Sequence, residues 1–93
     1  MPDTAPDLVC AVAVIQAGMV EADQKTADRE MARMAVAHFF FGRLSALDPT
    51  KNWPEIAIDE ARKMPVDRET LLRKEMACMG RKASLMLGMA VTD

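Results

Sequence analysis

Three phenylalanines stand side by side at Phe39, Phe40 and Phe41, and with Trp53 they are all the aromatic residues of the chain. They lie in residues 34–47, Met-Ala-Val-Ala-His-Phe-Phe-Phe-Gly-Arg-Leu-Ser-Ala-Leu. A helix turns about 100° per residue, so three consecutive rings fan over roughly 200° of its surface. One flat neighbour cannot cover that arc. The segment is expected to be gripped from two sides, or from one side plus a second subunit. Aromatic side chains bury more area than any others, so their surroundings are expected to be the core.

The rest of the chain supplies further helices. Thr4-Ala5-Pro6-Asp7 has the form of a helix start, with Thr at the cap, Pro in the first turn and an acid three positions on. Behind it Leu8, Val12, Ile15 and Met19 fall on one helical face, with Cys10 off that stripe. Asp23 or Thr26 is placed to cap a second helix. That helix carries two rows, Ala27, Met31, Met34, His38 and Phe41, and Val36, Phe40, Leu44 and Leu47. Two rows on one helix predict a central place in a bundle. Asp48-Pro49 ends it, because proline disfavours helix in the residue before it.

Asn52-Trp53-Pro54-Glu55 repeats the start pattern. The short helix behind it, which carries Ile56 and Met64 with few other apolar residues, is expected to be a peripheral cover ended by Pro65. Asp67 is placed to cap the last helix, where Leu72, Met76, Met79, Ala83, Met86 and Ala90 alternate at +4 and +3 and Leu71, Cys78 and Leu85 form an adjacent row. Gly42, Gly80 and Gly88 are expected to mark close helix packing, with Ser84 between the last two, since glycine inside a helix costs about 1 kcal/mol. The predicted fold is all-α, a single-domain bundle of about four helices at residues 5–22, 25–47, 53–63 and 67–91, with residues 1–4 lacking fixed structure.

Ninety-three residues suffice for one domain with one modest core. Half of them are hydrophobic and the charges are mixed in sign, which is a globular composition. A net charge of -2 gives no reason to expect nucleic acid. The basic pairs Arg62-Lys63, Arg73-Lys74 and Arg81-Lys82 share the chain with Asp67, Glu69 and Glu75 and read as a solvated face. Residues 8–20 come nearest to a membrane span, but Gln16 and Gly18 interrupt them and no Lys or Arg precedes them, so neither a span nor a signal peptide is expected. Val9 before Cys10 does not suit lipid attachment. An exported protein of this sequence would carry its signal ahead of Met1. Two cysteines, Cys10 and Cys78, are compatible with one disulfide and equally with two buried thiols.

No catalytic constellation stands out. His38 is the one histidine, without a motif that supplies a nucleophile or orienting carboxylate, and it is expected to be buried or half-buried. Cys10, His38 and Cys78 lack the short ligand spacing of a zinc site. Met31-x-x-Met34, Met76-x-x-Met79 and Met86-x-x-Met89 have the thioethers that Cu(I) prefers, but five of these six lie on the stripes read as core, where Met is a ready filler. No cofactor is expected. The surplus of apolar positions points to a homodimer or to another protein as partner. Phe39 extends neither row of its helix, and with Arg43 and the small residues Ala32, Ala35, Gly42 and Ala46 it is expected to form a shallow interface patch.

At Phe40 to Leu44 the chain resembles a group of small exported bacterial helical proteins of uncharacterised function. Their pattern has a Cys in the first helix and an aromatic-x-Gly-Arg-Leu element closing the second. A loop with an acid and Pro follows, then a second Cys and spaced glycines in the last helix. Cys10, Gly42-Arg43-Leu44, Asp48-Pro49, Cys78 and Gly88 match it. The resemblance implies a periplasmic location and a Cys10–Cys78 disulfide, and no activity. More distantly the chain is similar to periplasmic acid-stress chaperones of the HdeA type, which share its size, its helices and a disulfide ending in the last helix. The expected function is that of a non-enzymatic cell-envelope protein acting through protein contacts. A stress-linked chaperone is the alternative, and soft-metal binding a third.

Overall fold

The computed structural model describes residues 4–20, 27–63 and 67–91, and of Ala27 and residues 89–91 the backbone alone. Four helices, α1 (Ala5–Val20), α2 (Ala27–Leu47), α3 (Trp53–Lys63) and α4 (Arg68–Val91), form a single all-α domain as predicted. Residues 1–3, the expected helical residues 21–22 and 25–26, the caps Asp23 and Thr26, and Met64-Pro65 lie outside the described residues. Two of the expected caps are formed. Asn52 Oδ1 accepts from the Glu55 backbone N–H while Asn52 Nδ2 donates to the Glu55 carboxylate. Asp67 Oδ2 accepts from both the backbone and the hydroxyl of Thr70. Each satisfies a donor that the first turn of a helix leaves open.

Both α1 and α2 touch all three other helices, as the two rows of α2 predict, but α1 packs far more extensively against α3 and α4 and is the true centre of the bundle. Cys10, Ala11, Val12, Ala13, Val14, Gln16 and Ala17 are all buried, so burial runs right round the helix. A helix that is apolar on every side belongs inside. Of the Leu8, Val12, Ile15, Met19 stripe, Val12 is buried, Leu8 and Ile15 are half-buried against the core, and Met19 alone is exposed.

Helix α3 is likewise more than a cover. Trp53, Ala57 and Ala61 recur every four residues and are buried in the main core, while Ile56 packs at its edge. The small Ala side chains let α3 lie close to α1, and Gln16 Nε2 donates to the carbonyl of Ala61 across that contact. The Trp53 indole N–H donates to the carbonyl of Asp48, which fixes the α2–α3 turn.

On α2 and α4 the regular stripe is not the buried one. Val36, Phe40 and Leu44 are the core of α2, whereas Met31, Met34 and His38 face outward. On α4 the buried row is Leu71, Glu75 and Cys78, and Leu72, Met76 and Met86 are exposed. The pairings set the directions. Asp7 meets Arg43 and Arg81, Cys10 meets Cys78, and Gly18 lines one groove with Glu30 and Met34, so α1 runs antiparallel to both α2 and α4. Arg33 meets Glu75 and Phe39 meets Lys82, so α2 and α4 are parallel.

Candidate protein-contact surface

One end of the bundle is locked by a covalent and an ionic link on successive turns. Cys10 and Cys78 form a disulfide between α1 and α4, with Cα atoms 5.4 Å apart. One turn away, Asp7 is only 1% exposed. Arg43 Nε donates to its Oδ2 and Arg81 Nη2 to its Oδ1, each at 3.1 Å. A carboxylate so deep is tolerable only with charged, hydrogen-bonded partners. Asp7 therefore does more than complement its helix start, since it joins α1 to α2 and α4. Leu44, next to Arg43, is fully buried, so the Gly-Arg-Leu element sends one residue to the core and one to the clamp.

Further along, Arg33 of α2 donates to Glu75 of α4 at 3.4 Å, and both are buried. Glu75 and Arg81 were expected on a solvated face, and both point inward instead. Glu75 Oε2 and Arg81 Nε are buried without a partner among the described residues. Such interior ion pairs fix how helices meet more reliably than they add stability.

The three rings divide unevenly. Phe40 is fully buried, and Phe39 and Phe41 are half-buried at the edge of the same core. Phe39 stands edge-on to Phe40, with centroids 5.2 Å apart and planes at 85°. The expectation that Phe39 misses the core while Phe40 and Phe41 share it is corrected: Phe40 alone is enclosed. Phe39 still lines a surface groove of about 430 Å³ with Gly42, Arg43, Ala46 and Leu47. Lys82 Nζ lies 6.0 Å from the centroid of its ring.

The glycines are not close-packing positions within the chain. Gly42, Gly80 and Gly88 are exposed, and among the described residues a Cβ at any of them would meet no atom within 4 Å beyond its own helix backbone and chain neighbours. His38, expected at least half-buried, is exposed. The largest departure concerns methionine. Met31, Met34, Met76 and Met86 are 69%, 58%, 74% and 50% exposed, and only Met79 of the expected stripe packs at the core. Beside Met34 a groove of about 290 Å³ opens between α1 and α2, lined by Val14, Ile15, Gly18 and Ala37 and rimmed by Glu30 and Arg33.

No known protein family, curated protein or solved structure matches this chain. What the surface can do must therefore be read from its chemistry. Among the described residues, no group of three or more His, Cys, Asp and Glu side chains is placed to hold a metal ion. No helix among them is long and apolar enough to cross a membrane. Four of the five methionines read as core, Met31, Met34, Met76 and Met86, are exposed, while the two cysteines are joined to each other and offer no thiolate. What remains are exposed apolar side chains on α2 and α4, four of them thioethers, and a groove at Phe39 and Arg43.

Asp7, Arg33, Glu75 and Arg81 are the structural charges that sequence reading missed. A lone charge at a core register looks like any solvated one until its partner is known. Arg33 and Glu75 did carry a signal, since each falls at helical spacing from buried residues of its own helix, Val36 and Phe40 in one case, Leu71 and Cys78 in the other.

Proposed function

We propose that the chain is a non-enzymatic helical protein of an oxidising compartment, the periplasm or another exported setting, that works through contacts with protein. The observation that carries this reading is the outward position of Met31, Met34, Met76 and Met86, joined by Leu72 and Leu87. The core closes without them, so folding gives no reason for them. Exposed apolar groups in this number suit a partner surface, and thioether side chains re-pack readily around one. The Cys10–Cys78 bridge supports the compartment, because disulfides persist where the medium is oxidising. The resemblance to small exported helical proteins leads the same way. The partner is a second copy of the chain or another protein.

Site-specific photo-crosslinking in the cell of origin tests this, with the reactive side chain placed in turn at Met34, Phe39 and Met76 and, as a control, at Asp59. Discrete adducts are expected from at least one of the first three and none from Asp59. No adduct at any of them would sink the reading. The same methionines favour a second one, a chaperone that shields unfolded chains under acid stress. It predicts that the purified protein suppresses aggregation of a client at low pH, and inactivity there would exclude it.

A further inference from the structure

We propose that the groove beside Phe39 on α2 docks an acidic amphipathic helix of another protein, a proposal that rests on the contact-protein reading above. The floor is apolar and small, made by Phe39, Gly42, Ala46 and Leu47. Among the described residues a Cβ at Gly42 would meet nothing within 4 Å beyond its own helix backbone and chain neighbours, so an incoming side chain has room there. The rim is cationic. Arg43 gives its Nε to Asp7, and its side chain remains 31% exposed. Lys82 lies over the Phe39 ring and has no carboxylate partner among the described residues. Arg81, next to Lys82 in sequence, shares the Asp7 carboxylate with Arg43. Among the described residues, these three cations against the one carboxylate that pairs with them leave a local excess of two positive charges, on a chain whose net charge is -2.

That excess decides the occupant. A two-fold contact places the same patch against itself, so a second copy would bring Arg43 and Lys82 against their own images, and like charges across an interface are costly. A helix with apolar residues at three- and four-residue spacing and Glu or Asp on its flanks meets both floor and rim. The Met34 groove offers no such guide, because its one basic lining residue, Arg33, is buried and already paired with Glu75.

The test is calorimetric titration of the disulfide-bonded full chain with a synthetic amphipathic helix carrying leucines on one face and glutamates on its flanks, and with its counterpart carrying lysines there. The acidic peptide should bind at least about tenfold more tightly than the basic one, and added salt should weaken it. Gly42→Leu fills the floor and should abolish binding while leaving the thermal midpoint unchanged or higher, because leucine favours helix. Lys82→Glu should weaken acidic-peptide binding about tenfold without filling anything, and it carries the test if Gly42→Leu does not fold. Equal affinity for the two peptides overturns the proposal, as does wild-type binding by folded Gly42→Leu. Binding to anionic lipid vesicles with none to peptide would assign the groove to a membrane surface and overturn it, and a dimer dissolved by Gly42→Leu would assign it to a second copy. Photo-crosslinks at Met34 or Met76 with none at Phe39 would remove this proposal and leave the contact-protein reading standing. Silence at all three removes both.

Discussion

At the residue scale the fold turns on Asp7, the most deeply buried of the charged side chains. Its two partners are not equally trapped with it, since the Arg43 and Arg81 side chains are 31% and 37% exposed. That asymmetry predicts how substitutions rank. Asp7→Asn leaves two arginines that can turn to water, and should cost about 1–3 kcal/mol in a urea unfolding curve. Arg43→Met with Arg81→Met strands a buried carboxylate, and should cost about 3–5 kcal/mol. If the single change proves the worse, the clamp is not held as described. Gly80, by contrast, does nothing that a larger residue could not do. In an exposed helix interior, Gly80→Ala should raise stability by up to about 1 kcal/mol, measured as a higher thermal midpoint.

Elements show what the sequence makes legible and what it hides. Helix number, the α2–α3 boundary and the caps at Asn52 and Asp67 were readable because they depend on local chemistry, the competition of a side chain with the backbone for a few open N–H groups. Which of the two rows read on α2 and on α4 turns inward was not, although the buried rows, Val36, Phe40 and Leu44 and Leu71 with Cys78, are among those expected. The long +4, +3 series on α4 is regular, but regularity reports only that residues share a face, and Leu71, Glu75 and Cys78 outcompete that face for the interior. Rows interrupted by Glu75 and Arg33 lose to cleaner rows in any pattern count, although a paired charge is at home in a core. The place of α3 was missed for a related reason, because Ala57 and Ala61 look neutral by composition and gain their value from closeness to α1. Of the interface residues expected, Phe39 and Arg43 do share a groove, but Arg43 also holds Asp7, a duty visible only once α1 is in place.

The links between elements are open to test. The Cys10–Cys78 bridge spans 68 positions of sequence, for which chain entropy gives about 4 kcal/mol. Replacing both cysteines by alanine should lower the unfolding free energy by roughly that amount, and a change below about 1 kcal/mol would mean that the clamp and core hold α1 to α4 unaided. In the α2–α3 turn, hydrogen bonds from the Thr50 hydroxyl and backbone N–H, with the Lys51 ammonium nearby, hold the Asp48 carboxyl below its ordinary value of 3.8. A folded-state value below the unfolded one means stability that is present above about pH 4 and is lost as pH falls through the lowered value. Asp48→Asn should therefore unfold more readily than the parent at neutral pH and match it in strong acid, as compared by denaturant midpoints. An equal gap at both extremes would contradict the assignment.

At the scale of the whole molecule, the interior is centred on one short apolar helix, and the longer α2 and α4 carry apolar side chains that it cannot use. Helix α4 has 24 residues, about 36 Å of length, against 16 residues in α1. With Arg81 already level with the start of α1, the rest of α4 runs on beyond it, and Met86 and Leu87 are exposed there. The excess of apolar surface thus follows from unequal helix lengths as well as from face choice. The measurement that tests this most directly is methionine oxidation by dilute peroxide, read residue by residue by mass spectrometry, on the purified protein and on the protein in its cell. Met31, Met34, Met76 and Met86 should oxidise well ahead of Met79 in the purified protein, and at least some of the four should be protected in the cell. Four slow methionines in the purified monomer, or identical rates in both settings, would contradict the account.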